Sequence, residues 1–385
     1  MKLRLKMGLC CIAAAGLIVS MLTVGGFGAA SATTSRAHAS KQVVIGVDLT
    51  YDNTNFWAAY DTYEAQYAKS LHIKVLGPLL ASANASLQNT QVEELVSEGA
   101  QAVVVNPETA TSMLPAITFA AKHHVQLIMT DTIIGVGHAY MIVRASNLLY
   151  GWSACAYIAS KVQSGYVLDL EGDLTSSNGA DRTDGFNACM AKNAPKVKVL
   201  SDPTVWTLPT AITDAEDAVN AYGTQLKAIF SQWSSPDTGI IPLLKTKGFG
   251  PAGGSKPHVI LVSDDGVPFE MCDISQGWVD ASDSQPANLY AYYALKYAID
   301  AADGVVLKAG MPGGGAPKLA MVNYKGDSNL GDPVVAPFVT KSVEHLSIKP
   351  AGGSPSEITT TPVTNPNLWG NVYGKAHGGV CAGPA

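Results

Sequence analysis

From Val43 onward the chain alternates short β-branched apolar runs with longer amphipathic stretches, and few folds accommodate that alternation. Val43–Val47 reads as a buried strand. Phe56 to Leu71 has helical spacing, with Tyr60, Tyr63, Tyr67 and Leu71 on one face. Ile73–Leu76 is the next strand. Ser86–Glu98 is a helix with the stripe Leu87, Val92, Leu95 and Val96, stopped by Gly99. Ala102–Val105, a helix over 110–123 and Gln126–Met129 continue the series. Unbroken strand–helix repetition predicts a parallel sheet covered on both faces.

The pattern then restarts. Helices are expected over 149–162, 181–192 and 286–302, and strands over 165–170, 196–200, 227–230 and 259–262. Segment 309–317 is a Gly/Pro loop, and the Pro-, Gly-, Ser- and Thr-rich tail beyond Asp327 is an extended segment wrapping the surface. The predicted fold class is α/β, with two Rossmann-like lobes, each a parallel sheet flanked by helices. Three crossing segments join them, near Arg144–Ser146, Ala281–Pro286 and Met321–Asn323. The expected division is 1–39 as an export signal, 40–145 plus 285–321 as the first lobe, and 146–284 plus 322–385 as the second.

The export signal rests on Lys2, Arg4 and Lys6, the uncharged stretch Met7–Ala30, and the small-residue site Ala37-His38-Ala39. Cleavage near Ala39 places the protein outside the cytoplasmic membrane, in the periplasm or on the outer face; an uncleaved anchor is the alternative. Four cysteines follow the signal, and an oxidising compartment permits two bridges. Cys155–Cys189 with Cys272–Cys381 is the expected pairing, buried free thiols at the first two positions the alternative. The net charge of −6 and scattered basic residues exclude a nucleic-acid groove. No dinucleotide fingerprint, P-loop, nucleophile elbow or zinc-protease motif is present. Neither a metal nor a cofactor is expected.

In open parallel sheets, ligands sit beyond the carboxyl ends of the strands. After the first strand comes Asn53-Thr54-Asn55-Phe56-Trp57, in which two adjacent aromatics open a helix. Neighbouring helical residues diverge, so one ring should reach the cleft, where an aromatic face suits the C–H face of a sugar. Asn106-Pro107-Glu108, Thr130-Asp131-Thr132, and Arg144 to Asn147 follow later strands. In the second half, Asn178 to Phe186 with Arg182 inside it, Trp206, Trp233 and Asp264-Asp265-Gly266 hold corresponding positions. Asp accepts pairs of hydroxyl hydrogen bonds and Arg donates a fork of them.

Over residues 43 to about 325 the chain resembles the periplasmic sugar-binding proteins of ATP-driven importers, the group that includes ribose-binding protein. The resemblance rests on Asn53-Thr54-Asn55-Phe56-Trp57, Val105-Asn106-Pro107, Thr130-Asp131, Ser146-Asn147 with Gly151, Arg182-x-x-Gly185-Phe186, and Asp265-Gly266, in that order. It implies a type I periplasmic binding fold and a monomer that captures a sugar or polyol by hinge closure. A membrane permease would be its partner. Phe56 and Trp57 would be stacking walls, Asp131 a hydroxyl acceptor, and Arg182 and Asp265 the polar contacts of the second lobe, with Asn53, Asn147, Trp206 and Trp233 beside them. Thr132 stands where such proteins often carry Arg, Trp233 where they carry Asn, and the Gln of the late crossing segment is read as Ser284 or Asp283. More aromatic surface and fewer polar anchors favour a larger sugar, a polyol or a less polar ring over a simple pentopyranose. The competing expectations are a sensory module for a membrane receptor and a secreted hydrolase using Asp131 and Asp265.

Overall fold

A computed structural model describes residues 42–315, 320–324 and 329–381. The expected export signal, 1–39, lies outside the described residues, as do the last two residues of the 309–317 loop. The described residues form one compact unit.

The first half runs β1 (Val44–Leu49), α1 (Asn55–Ser70), β2 (Lys74–Leu80), α2 (Ala85–Ser97), β3 (Ala102–Val105), α3 (Leu114–Lys122), β4 (Gln126–Thr130) and β5 (Met141–Arg144). β3, β4 after its first residue, and β5 are buried throughout, as β-branched runs covered on two faces require. Polar caps start the helices: Thr54 Oγ1 accepts from Trp57 N at 3.2 Å and Asn84 Oδ1 from Leu87 N at 3.0 Å.

The second half runs α4 (Asn147–Lys161), β6 (Gly165–Glu171), α5 (Ser177–Asn193), β7 (Val197–Pro203), α6 (Leu208–Tyr222), β8 (Leu226–Ser231), α7 (Asp237–Thr246), β9 (Ile260–Asp264), α8 (Pro268–Gln276) and β10 (Ala281–Asp283). The chain then returns to the first lobe through α9 (Ala287–Ala302), β11 (Val322–Asn323) and β12 (Leu330–Pro333). It ends in β13 (Phe338–Thr340), β14 (His345–Ser347), β15 (Glu357–Thr359), β16 (Thr361–Pro362) and α10 (Trp369–Ala376).

Two seven-stranded sheets result, ordered β11-β12-β5-β4-β3-β1-β2 and β16-β13-β10-β9-β8-β6-β7. All pairings within them are parallel except β11 with β12 and β10 with β13. Strand order reverses beside β1 in one lobe and beside β6 in the other, so each lobe opens a crevice at its strands' carboxyl ends. Aromatic helices α1 and α9 pack together over one face of the first sheet, burying Phe56, Tyr60, Tyr290 and Tyr297.

Four expectations are corrected. Residues 322–333 pair in the first sheet, not the second lobe, because β12 adds in parallel to β5 (Gly331 opposite Ile142). The third crossing therefore runs between Pro333 and Phe338 instead of Met321–Asn323. The tail is also more ordered than its composition suggests: it holds the β14–β15 hairpin and helix α10. In α2, Leu87 is exposed and Gln88 takes the buried place. Helix α7 escaped the periodicity because Pro242 interrupts it, and α8 was passed over although Pro268 at its first turn is a helix-start signal.

Both expected bridges are formed. Cys155–Cys189 ties α4 to α5, and Cys272–Cys381 ties α8 to the tail.

Candidate functional site

The facing crevices enclose a cavity of about 140 Å³. The first lobe lines it with Thr50, Tyr51, Asn53, Phe56 and Trp57 after β1, Asn106 to Glu108 after β3, and Asp131 and Thr132 after β4. The second lobe contributes Asp173, Ser176, Asn178, Arg182, Trp206, Trp233 and Asp265, and the second crossing adds Gln285.

Each lobe brings a pair of perpendicular aromatic rings. Phe56 and Trp57 have centroids 5.1 Å apart at 87°, and Trp206 and Trp233 lie 5.3 Å apart at 86°. Both rings of the first pair border the cavity, although the spacing argument required only one. Edge-to-face pairing fixes one ring with the other and leaves flat walls for a ligand.

Arg182 is the polar centre. Its Nε donates to Asn147 Oδ1 at 2.6 Å, Nη2 to Gln285 Oε1 at 2.8 Å, and Nη1 to the Gln232 carbonyl. Asp264 Oδ2 lies 3.4 Å from Nη1, and the guanidinium sits 5.2 Å from the Tyr150 ring centre and 5.6 Å from that of Trp206. Burial opposes the Arg182 charge, and Asp264, Asp265 and Asp131 more than offset it. Asp181, the residue before Arg182, pairs with Arg144 instead, at 3.2 Å.

Asp131 and Asp265 occupy equivalent places after β4 and β9. Each donates its N–H to a carbonyl on the neighbouring strand, Val143 and Asp283 respectively, both at 2.9 Å. Each has positive φ, 67° and 105°, a conformation that costs a non-glycine residue ~1–3 kcal/mol and collects at functional sites. Asp131 accepts from Asn178 Nδ2 at 2.5 Å and from Gln285 Nε2 at 3.2 Å. Asp265 Oδ2 accepts from Ser234 N at 2.9 Å and Ser234 Oγ at 2.7 Å. Burial pushes the Asp265 carboxyl up to about 6 against the pull of Arg182 and Ser234. It raises Asp264 to about 8 and Asp131 as well, with Arg182 opposing in both cases.

Supporting groups hold these side chains in place. Gln88 Nε2 donates to Asp48 Oδ1 at 2.9 Å and to the Asn106 carbonyl at 2.8 Å, and its Oε1 accepts from Glu108 N at 2.8 Å. Helices α4 and α5 cross so closely that a Cβ on Gly151 would fall 1.8 Å from the Arg182 carbonyl, and one on Gly185 2.2 Å from that of Leu148. Only glycine permits this contact, which sets Asn147 against Arg182.

Eight of the ten site residues named from sequence therefore border the cavity: Asn53, Phe56, Trp57, Asp131, Arg182, Trp206, Trp233 and Asp265. Asn147 sits behind the wall, under Arg182. Ser284 also lies off the cavity, packed beneath Gly266, whose Cβ would meet its Oγ at 2.2 Å. The crossing segment's Gln is Gln285, one residue on, so the suggested loss of a Gln there is corrected. Asn178 was named from sequence only as the start of the segment that holds Arg182; it lies one helical turn before Arg182 on the same face of α5, a spacing that could have singled it out.

Residues 45–305 match the model of the periplasmic binding protein domain. The chain belongs to the periplasmic binding protein family. As a member it is a solute-binding protein rather than an enzyme. Among curated relatives, the xylitol-binding protein of Mycolicibacterium smegmatis is 27% identical over 241 residues, 62% of this chain and 66% of that protein, just under two thirds of its length. The ribose import binding protein of Escherichia coli is 25% identical over 259 residues, 67% of this chain and 83% of that protein. Among solved structures, the Caulobacter myo-inositol binding protein bound to myo-inositol superposes with a TM-score of 0.64 at 20% identity, covering 76% of this chain and 92% of that one. That likeness establishes the two-lobed fold of type I periplasmic binding proteins.

Proposed function

We propose that the protein is the exported, ligand-capturing component of an ATP-driven importer, and that it takes a single small polyhydroxylated molecule, a sugar or polyol. The observation that carries this reading is the composition of the cavity. Perpendicular aromatic pairs from both lobes flank Asp131, Arg182 and Asp265 within about 140 Å³. That volume falls below the ~300–1,000 Å³ of sites for drug-sized ligands, so it suits one ring or a short polyol. Hydroxyls would donate to the Asp oxygens and accept from Arg182 and Gln285, while C–H faces meet the rings. Xylitol and ribose, for which two of the relatives are named, are of this class.

Hydrogen bonds cross between the lobes at the cavity rim: Asn178 to Asp131, Ile133 N to Ser177 Oγ at 2.9 Å, and Ala110 N to the Thr175 carbonyl at 3.2 Å. These contacts favour a closed form, which ligand contacts from both walls would stabilise further. A permease would read that closed surface.

The test is a thermal-shift screen with xylitol, ribose, other pentoses, hexoses, inositols, glycerol, amino acids and nucleosides. Binding to the folded state alone raises the melting temperature. A shift with one sugar or polyol class, lost in Asp265→Asn, supports the reading. A flat response to every sugar and polyol overturns it.

A further inference from the structure

Helix α10 is held by both lobes at once. On the second-lobe side Cys381 is bonded to Cys272 of α8. Gly370 lies so close to the Gly266 carbonyl that a Cβ there would be 2.1 Å from the oxygen. Asn371 Nδ2 donates to the carbonyls of Val363 and Asn365 at 2.7 and 2.8 Å, fixing the helix to the turn that follows β16. On the first-lobe side Tyr373 packs on Tyr63 of α1 with centroids 5.7 Å apart, and its hydroxyl lies 3.3 Å from Thr62 Oγ1.

Trp369 joins the two sides. Its ring meets Phe56 edge-on, centroids 6.1 Å apart at 85°, and its Nε1 donates to the Asp265 carbonyl at 3.1 Å. Phe56 borders the cavity from the first lobe and Asp265 from the second. One buried side chain outside the cavity therefore touches a ligand-facing residue of each wall. Opening the lobes separates Phe56 from Asp265, so Trp369 must leave one of them. The second-lobe attachment is covalent and reinforced by a backbone contact, so the aromatic seat on α1 is the part that yields.

We propose that Trp369 is a positioning residue for the cleft and that α10 is a strap limiting how far the lobes open. This rests on the hinge-closure reading of the cleft and adds a connection beyond the three crossing segments. A strap of this kind keeps the ligand-free protein near its closed arrangement, so less of the ligand's binding energy is spent on closure.

Small-angle scattering of the ligand-free protein tests this without any ligand, so a failed sugar screen leaves it interpretable. Trp369→Ala shifts the radius of gyration upward, and Trp369→Phe, which keeps the ring against Phe56, returns it most of the way. Cys381→Ser with Tyr373→Ala, which releases both ends of the strap but leaves Trp369 intact, also shifts it upward. Replacing Cys155 and Cys189 by Ala, within the second lobe, lowers the melting temperature without that shift. With xylitol as probe, Trp369→Ala weakens binding roughly 3–10-fold, the loss expected when the competent fraction falls by that factor. An unchanged radius in folded Trp369→Ala, or an equal increase in the Cys155/Cys189 control, overturns the proposal. If Trp369→Ala does not fold, the Cys381→Ser/Tyr373→Ala protein decides by the same measurement.

Discussion

Arg182 satisfies a demanding local arrangement: two side-chain amides, a backbone carbonyl and a buried carboxylate all converge on one guanidinium. A planar fork spreads its donors over three nitrogens and reaches all of these acceptors, whereas the three donors of an ammonium radiate from a single nitrogen and cannot. Arg182→Lys is therefore expected to fold but to lose ligand affinity by roughly 10–100-fold, with calorimetry as the check; the estimate corresponds to ~1.5–3 kcal/mol for charge-assisted hydrogen bonds. Arg182→Ala leaves the Asn147 and Gln285 amide oxygens and the Gln232 carbonyl buried without their donor, and urea melts should show a loss of ~1–3 kcal/mol for each acceptor left unpaired. The carboxylates themselves set a pH dependence. Asp265 moves from an ordinary 3.8 to about 6 on folding, and Asp264 to about 8. Between these limits the folded state holds more protons than the unfolded chain, so stability is greatest on the acid side and falls as pH rises through about 6 to about 8. The ligand-free melting temperature should decline from pH 5 to pH 8. Ligand hydroxyls donating to ionised Asp265 favour the deprotonated form, so affinity should rise from pH 5 to pH 7. An affinity that stays flat over that range would remove Asp265 from the contacts.

At the scale of elements, the α4–α5 crossing positions the Asn147–Arg182 pair. Gly151→Ala forces a methyl into the Arg182 carbonyl, and overpacking of this kind costs ~1–3 kcal/mol. Thermal melts should register that loss, and ligand affinity should fall with it because the two helices part beneath the site. A Gly151→Ala protein of unchanged affinity would show that the crossing supports stability alone. Asn147, Gly151, Arg182 and Gly185 were legible through the motifs shared with the sugar-binding proteins, Ser146-Asn147 with Gly151 and Arg182-x-x-Gly185-Phe186, whereas the crossing that brings the two motifs together was not. The strands were legible for a different reason: β-branched runs such as Val103–Val105 leave little choice of conformation. Helix α7 was not, since Pro242 removes a backbone donor that only tertiary packing can compensate. Helix α10 lies in a segment whose composition reads as extended, and its order comes from docking Trp369 and Tyr373 on α1, information distant in sequence. Gln285 escaped because a crossing segment has no periodicity to say which residue faces the cleft, and a one-residue slip selected Ser284.

Over the whole molecule, the covalent cross-links are unequally shared. Cys155–Cys189 joins two second-lobe helices and Cys272–Cys381 joins α8 to the tail, while the strands and helices of the first lobe contain no cysteine. The bridges close separations of 34 and 109 residues, and loops of such lengths are worth ~4 and ~5 kcal/mol by chain entropy. The first lobe relies instead on its aromatic core of α1 and α9. Reduction should therefore loosen the molecule unevenly. In hydrogen exchange under reducing conditions, amides of α4, α5 and α8 should lose protection well before those of β1, β3 and α9. A ligand that bridges Asp131 and Asp265 would couple the lobes and narrow that difference, because the weakened lobe then shares the binding energy. Equal loss of protection in both lobes without ligand would mean that the three crossings and α10 already bind the lobes into one cooperative unit, in which no local cross-link can be released separately.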